Sequence, residues 1–120
     1  MTYRIEIPMR LPGMNEIIAA NRLNRQGGAR QKREVQFDIK LVAMNLPELK
    51  PPCDFVFDWY EPNRKRDKDN IAAGKKFILD ALQELGKLQN DGWSDIGNFA
   101  DRFFVDKENP RVEVIIYDQS

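Results

Sequence analysis

One short stretch near the middle of the chain limits the possible folds more than any other. In residues 54–60, large aromatic side chains alternate with other residues, so that Phe55, Phe57 and Trp59 fall on one face of an extended chain. A period of two residues with aromatic side chains predicts a β-strand and does not fit an amphipathic helix. The chain is therefore expected to contain a sheet with an apolar face.

The remaining elements are predicted from hydrophobic periodicity in the same way, since alternation indicates strands and a period near 3.6 indicates helices. In chain order the patterns predict a strand at residues 2–9, a helix at 29–45, the strand at 54–60, a helix at 69–85, and strands at 100–106 and 111–117. The expected fold class is α+β. We expect one small domain, residues 1–120, of order β-α-β-α-β-β with a mostly antiparallel or mixed sheet.

Glycine and polar residues predict where these elements are interrupted. Asn15 is expected to cap a short helix at residues 16–20, and the polar, basic, glycine-containing residues 21–30 predict a flexible loop. Gly74 lies inside the second long helix, where glycine costs about 1 kcal/mol relative to alanine. We therefore expect a neighbouring segment to pack closely against Gly74, and we expect Gly86 to end the helix.

The composition excludes several kinds of chemistry. The chain has no histidine and a single cysteine, Cys53, so it cannot form a Ser-His or Cys-His catalytic pair, a histidine or four-cysteine zinc site, or an internal disulfide. Any metal must be bound mainly by oxygen, which favours Mg²⁺, Mn²⁺ or Ca²⁺. A cytoplasmic location is expected from the cysteine content, and no membrane segment is expected because no apolar run approaches roughly 18 residues.

The formal net charge is zero, which argues weakly against nucleic acid as a partner. The charges are unevenly distributed, however: residues 1–40 carry eight basic and four acidic side chains, and residues 88–120 carry three basic and seven acidic ones. A binding face needs only local positive charge. Basic residues at 30–33 fall near the start of a predicted helix, which is unfavourable for cations unless a polyanion binds there; a solvated surface is the alternative.

The candidate site begins at residues 64–70, where a basic run leads directly into a predicted helix. Asp67 and Asp69 lie two residues apart there, and an acidic turn containing Asp91 follows the helix. One interpretation is helix capping, which aspartate performs well. The other is a metal site. A helix of roughly 16 residues spans about 24 Å, so Asp91 reaches the other two only if residues 87–98 fold back along the helix.

Three short motifs resemble the RusA family of Holliday-junction resolvases. They are Arg-Asp-Lys-Asp-Asn at residues 66–70, Asp-Ala-Leu at residues 80–82 and Asn-Asp at residues 90–91. Members of this family are small, Mg²⁺-dependent endonucleases, many of them encoded by phages or prophages. The resemblance implies a dimeric hydrolase that resolves four-way DNA junctions by paired symmetric nicks during recombination and repair.

The resemblance also implies roles for individual residues. Asp67, Asp69 and Asp91 fall on the metal-binding aspartates of the family, with Mg²⁺ as the cofactor and Mn²⁺ as a substitute. A functionally important lysine of the family falls on Lys76, four residues before Asp-Ala-Leu. The interval after Asp69 is three residues longer here, so Lys75 is the alternative. The first acidic position of the turn, often aspartate, is asparagine in this chain.

Two further expectations concern residues around this site. Asp95 is the alternative third ligand, and Asp80 is expected to be structural, paired with Lys76 four residues earlier. The aromatic residues are expected to serve the core or an interface rather than to stack on bases: Trp59, Trp93, Phe99, Phe103 and Phe104.

Basic side chains are expected to contact DNA phosphates without reading sequence, which predicts strong salt dependence. These are Arg22, Arg25, Arg30, Lys32, Arg33, Arg64, Lys65 and Arg66. The expected partners are branched DNA, above all a four-way junction, and a second copy of the chain in a homodimer. The alternatives are a catalytically silent DNA-binding module, a nuclease for other branched DNA, and a structural protein whose aspartates only cap helices and turns.

Overall fold

A four-stranded sheet forms the centre of the structure, a computed structural model that describes residues 1–120. The elements in chain order are β1 (Thr2–Ile7), α1 (Met14–Leu23), α2 (Arg25–Ala43), β2 (Cys53–Glu61), α3 (Lys68–Ala72), α4 (Lys75–Glu84), β3 (Ile96–Val105) and β4 (Arg111–Tyr117). The α+β prediction is confirmed. No helix is both long enough and apolar enough to cross a bilayer.

The sheet is mixed, with the strand order β1-β4-β2-β3. β4 pairs antiparallel with β1 and with β2, whereas β2 and β3 run parallel. The two last strands of the chain are joined by residues 106–110 but do not pair with each other, because β2 lies between them. This arrangement gives the most aromatic strand a hydrogen-bonded neighbour on each side.

The predicted aromatic face of β2 is confirmed as the centre of the core. Phe55, Phe57 and Trp59 are each at most 2% exposed. Their rings stack in succession, with centroids 5.9 Å and 5.8 Å apart. Apolar residues of β1 and β4, of α2 and of α4 join the same cluster. The helices therefore pack on this one face of the sheet, as the periodicities require.

Ion pairs and stacked rings cover the opposite face. Asp58, itself only 5% exposed, binds Arg102 through two bonds of 2.6 Å. The Tyr60 ring stacks on Phe104 at 4.9 Å and lies 3.7 Å from the guanidinium of Arg111. The charged and aromatic side chains of this face thus bind one another, and no helix packs on it.

The prediction of a flexible loop at residues 21–30 is wrong. Helix α1 runs to Leu23, α2 begins at Arg25, and Asn24 between them accepts a hydrogen bond from Gly27 N–H. The two glycines of this stretch allow the helices to approach closely, since a Cβ on Gly28 would lie 1.9 Å from the side-chain oxygen of Asn21. Glycine here permits close packing and does not indicate flexibility.

The early start of α2 also changes the electrostatic argument about its basic residues. Arg30, Lys32 and Arg33 lie in the second and third turns of α2 rather than at its beginning. The effect of the helix dipole is confined to the first and last turns. These three side chains therefore escape the unfavourable dipole interaction that the sequence predicted for them.

The single helix predicted at residues 69–85 is divided into α3 and α4 at Gly74. A Cβ on Gly74 would lie 3.1 Å from Leu11 Cβ and 3.3 Å from the carbonyl oxygen of Pro12. The expected close packing is therefore confirmed. Gly86 follows α4 with φ +73°, a left-handed conformation that favours glycine, and its N–H donates to Gln83 O.

Replacing Gly86 with alanine should lower the free energy of unfolding by about 1 kcal/mol, because a Cβ is strained at positive φ. Urea denaturation followed by circular dichroism measures this change. Gly92→Ala is the matched control, since a Cβ on Gly92 meets nothing within 4 Å. Equal stabilities for the two variants would contradict the account of Gly86.

Candidate metal and nucleic-acid site

The largest cleft of the structure, about 960 Å³, lies where β2 ends. Four apolar residues line it, Ile71, Phe103, Phe104 and Val105, and the other lining residues are polar or charged and lie between Glu61 and Asp69. Asp67 and Asp69 both lie in this lining. The cleft forms because the chain leaves the sheet at Glu61 and re-enters a helix only at Lys68, passing over the end of the parallel strand β3.

Neither aspartate of the cleft is used to stabilise the fold in the way that capping predicts. Asp67 occupies the N-cap position of α3, but its side chain makes no capping hydrogen bond. Asp69 accepts only a local bond of 2.9 Å from the N–H of Asn70. Both residues are exposed. The two carboxylates are therefore available to a ligand that approaches the cleft.

Arg66, in contrast, is half-buried in the cleft lining and is held by partners within the protein. Its guanidinium donates to both carboxylate oxygens of Glu61 at 3.0 and 2.8 Å, and to the carbonyl oxygen of Leu11 at 3.1 Å. It also lies 3.3 Å from Glu16, and only 11% of its side chain is exposed. These internal partners engage its donors, although Arg66 also lines the cleft. The contact of Arg66 with DNA stays a prediction.

Glu61 is the centre of this ion pair network. Arg10 also binds it, at 2.7 Å. Burial by itself raises the pKa of the Glu61 carboxyl, but the hydrogen bonds from Arg10 and Arg66 outweigh burial, so that its pKa lies below the ordinary 4.5. The same hydrogen bond raises the pKa of Arg10. Glu61 therefore stays ionised and fixes the start of the segment that carries Asp67 and Asp69.

Asp91 is brought back to the first turn of α4. Its carboxylate lies 2.8 Å from the ammonium of Lys76, which is also 3.2 Å from Asp80. Residues 87–98 therefore fold back along the helix, and the expected pairing of Lys76 with Asp80 is confirmed. The hydrogen bond to Asp91 raises the pKa of Lys76 and lowers the pKa of Asp91. Lys32 of α2 adds a further contact to Asp80 at 3.5 Å.

Lys75 and Lys76 are adjacent in sequence but have different surroundings. Lys75 donates to Asp101 at 2.6 Å, and its ammonium lies 4.8 Å from the Phe99 ring centroid and 5.3 Å from that of Phe57. Only 20% of its side chain is exposed, against 63% for Lys76. Lys75 thus stabilises the contact between α4 and the sheet, and Lys76 is the lysine beside Asp91.

The structure joins the predicted metal ligands only in part. Asp67 and Asp69 share the cleft, while the Asp91 carboxylate binds Lys76. No three acidic or cysteine side chains form a group that could hold a metal ion. The two free carboxylates suit a hard divalent ion such as Mg²⁺ or Mn²⁺ by their chemistry. The three-aspartate metal site stays a prediction.

Asp95 lies away from the cleft aspartates. Its carbonyl oxygen accepts from the N–H of Cys53, where β2 begins, whereas Asp67 and Asp69 follow the end of that strand. A nine-residue strand spans about 30 Å. Asp95 is therefore not a replacement ligand for the cleft.

The basic residues that were expected to bind DNA lie on two surfaces. Five are exposed on α1 and α2: Arg22, Arg25, Arg30, Lys32 and Arg33. Arg64 and Lys65 are exposed beside the cleft and make no ion pair within the chain. Arg30 pairs with Glu34 at 3.4 Å on the surface, a contact that water and salt weaken. Arg66 is thus the only one of the eight that is half-buried.

The aromatic residues divide into buried and exposed groups. Trp59 is 2% exposed and donates its indole N–H to Asp101 at 2.9 Å. Trp93 is 99% exposed, and Phe99 and Phe104 are about two-fifths exposed. Trp93 is therefore not a core residue. No sequence pattern identified this exposure, because the acidic turn has no periodicity.

No protein-family model matches the chain, and a search of curated proteins returned no match.

Replacing Glu61 with glutamine should reduce the free energy of unfolding by about 3 kcal/mol at pH 7, because two arginines lose their ionised partner. The pKa of Glu61 is lowered in the folded state, so its contribution is complete above 4.5 and is lost as the pH falls through the folded pKa. The stabilities of wild type and variant should therefore converge as the pH falls below 4.5.

Urea unfolding at several pH values measures this convergence. Glu48→Gln is the control, since Glu48 is exposed and has no ion pair. A difference between wild type and Glu61→Gln that stays constant over this pH range would contradict the role of the carboxylate.

Lys75→Met should lower the free energy of unfolding by about 1–2 kcal/mol, because Asp101 loses a charged hydrogen bond in a half-buried position. Lys76→Met, one residue later, should change stability by less than about 0.5 kcal/mol, since its ion pairs are exposed. Thermal and urea denaturation of the two variants compare them directly. A larger loss of stability in Lys76→Met than in Lys75→Met would contradict the structural role of Lys75.

Proposed function

We propose that the chain is a Mg²⁺-dependent endodeoxyribonuclease that cuts branched DNA, with the four-way junction as its substrate. The observation that carries the proposal is the pair of exposed carboxylates on Asp67 and Asp69 in the lining of the largest cleft. The motif resemblance to the RusA family supplies the reaction class, and the residue chemistry is consistent with it.

The charges around the two aspartates support this choice over a capping role. Arg64 and Lys68 line the same cleft, and the ammonium of Lys68 lies 5.6 Å from the Phe103 ring centroid. Neither cation forms an ion pair with Asp67 or Asp69, although both are close to them in sequence. Exposed cations next to unpaired carboxylates suit a phosphate that is bound together with a divalent ion.

The position of Asp91 supports the proposal in a second way. The acidic turn lies at the first turn of α4, just beyond the helix that carries Asp69, and its carboxylate already binds a cation, Lys76. Asp91 is therefore an ionised, half-buried carboxylate, and in this proposal it is the third metal ligand. Exchange of the ammonium for a metal ion would leave Lys76 free to contact a phosphate oxygen.

In the proposed reaction, Asp67 and Asp69 would hold the metal ion, and Asp91 would complete the ligand set. The chemistry that such an ion supplies when bound is activation of a water molecule and stabilisation of charge at the leaving oxygen. Arg64 and Lys68 position the phosphate through their charges. Lys76 stabilises the negative charge that spreads over the phosphate oxygens during the displacement.

The exposed basic residues of α1 and α2 provide the wider DNA contact. Because they are not committed to buried ion pairs, they can neutralise phosphates along an arm of the junction. A junction has two equivalent strands to cut, and a two-fold homodimer would place one site on each. The homodimer belongs to this proposal as its assembly state.

Asp69→Asn should reduce cleavage of a labelled mobile four-way junction in Mg²⁺ by about 100-fold or more, because it removes a charge from the proposed metal site. The amide oxygen can still accept from Asn70 N–H, so the melting temperature should be unchanged. Gel retardation should show that the variant still binds the junction. Asp38→Asn is the matched control, an aspartate of α2 without an ion pair.

Several outcomes would decide against parts of the proposal. Cleavage that persists in EDTA or in Asp69→Asn would remove the metal and Asp69 from the reaction. Binding of junctions without cleavage of any branched substrate would indicate the catalytically silent module. Paired nicks by a chain that sedimentation shows to be monomeric would exclude the homodimer.

A further inference from the structure

Trp93 is the most exposed large side chain of the molecule. Its indole is 99% exposed, whereas Trp59, the only other tryptophan, is 2% exposed. Aromatic side chains gain more from burial than other residues do. A tryptophan that contacts nothing in its own fold is therefore expected to contact something else.

The turn that carries Trp93 is held at both ends. On one side, Asp91 binds Lys76 at 2.8 Å. On the other side, the N–H groups of Asp95 and Ile96 donate to the carbonyl oxygen of Gly92 at 3.1 and 3.0 Å. Asp95 in turn accepts from Cys53 at the beginning of β2. The indole thus extends from a turn that is fixed to α4 and to the sheet.

Trp93 also lies close to Asp91, the predicted third ligand. Only Gly92 separates it from Asp91 in sequence, so the Cα atoms of the two residues are at most about 7 Å apart. Bases of one DNA strand are spaced about 3.4 Å apart along the helix axis. An indole at this position would reach a base one or two nucleotides from a phosphate that is bound beside Asp91.

The surroundings of Trp93 fit a base better than a protein partner. Its sequence neighbours Gln89, Asn90, Gly92 and Ser94 are exposed and are polar or small. Docking sites for proteins usually place such an anchor within a contiguous apolar patch. A single planar ring with a polar margin suits stacking on one unpaired base, because every base offers a π-face.

We propose that Trp93 stacks on an unstacked base at the branch point of the DNA and gives the chain its preference for branched over continuous duplex. This inference rests on the proposed function, since it requires branched DNA as the ligand. In continuous duplex each base is covered by its neighbours, so the indole finds no free ring. At a branch point the stacking is interrupted, and a base face becomes accessible.

The test measures the affinity of the chain for a four-way junction and for duplex of matched sequence, in EDTA to prevent cleavage. Trp93→Ala should lose about ten-fold or more in junction affinity, with duplex affinity unchanged. Trp93→Phe should retain most of the junction affinity. The melting temperature should be the same for all three proteins, because Trp93 has no contacts to lose.

Tryptophan fluorescence provides the second measurement. Stacking on a base should quench the emission of wild type when junction is added, while equimolar duplex should not, and Trp93→Phe should show neither response. Phe37→Ala is the matched control, because Phe37 is an aromatic residue of α2 that is 64% exposed. An equal loss of junction affinity in Phe37→Ala would overturn the specific role of Trp93.

Failure of this inference can be distinguished from failure of the proposed function. If wild type and Trp93→Ala bind and cut the junction equally, the stacking role is wrong and the nuclease proposal stands. If wild type binds no branched DNA, both are wrong. If Trp93→Ala changes only the sedimentation behaviour, the indole contacts a second copy of the chain, and the stacking role is again overturned.

Discussion

The buried carboxylate of Glu61 is the interaction on which the arrangement of the site depends. It lies at the last residue of β2 and receives hydrogen bonds from Arg10, which follows β1, and from Arg66, which precedes α3. Three segments far apart in sequence are therefore joined at one charge. Removing two guanidinium groups from water is unfavourable by itself, and only an ionised acceptor of this kind compensates for it.

This ion pair network separates two kinds of charge in one short segment. Arg66 is paired with Glu61 and Glu16, whereas its neighbours Asp67 and Asp69 are exposed in the same cleft. The same division recurs on α4, where Lys75 is held between aromatic rings and Asp101, while Lys76 faces Asp91. In both places a structural cation stands next to a cation that remains accessible. A binding surface made of charged side chains needs neighbouring residues with fixed positions, because an exposed side chain without such support samples many rotamers.

Much of the fold could be predicted because periodicity is a local property of the chain. The buried face of β2, the close packing at Gly74 and the end of α4 at Gly86 were all expected from residue type and spacing. The helical structure of residues 21–28 was missed, since glycine next to polar residues is typical of loops and only the close packing of Gly27 and Gly28 against Ala20 and Asn21 explains it. The division of the long helix was missed because Leu11 and Pro12, which pack at that point, are distant in sequence.

For the candidate site, residue type and spacing were enough to predict which groups are available: oxygen ligands only, two aspartates beside a basic run, and an acidic turn after a helix. Which of these charged side chains form ion pairs within the fold depends on the tertiary structure. In the folded chain Arg66 pairs with Glu61, Lys75 pairs with Asp101, and Lys76 pairs with Asp91. Trp93 is exposed to solvent. The physical reason is that periodicity and capping act over a few residues, whereas the partner of a charge and the exposure of a ring depend on segments that folding brings together from far along the chain.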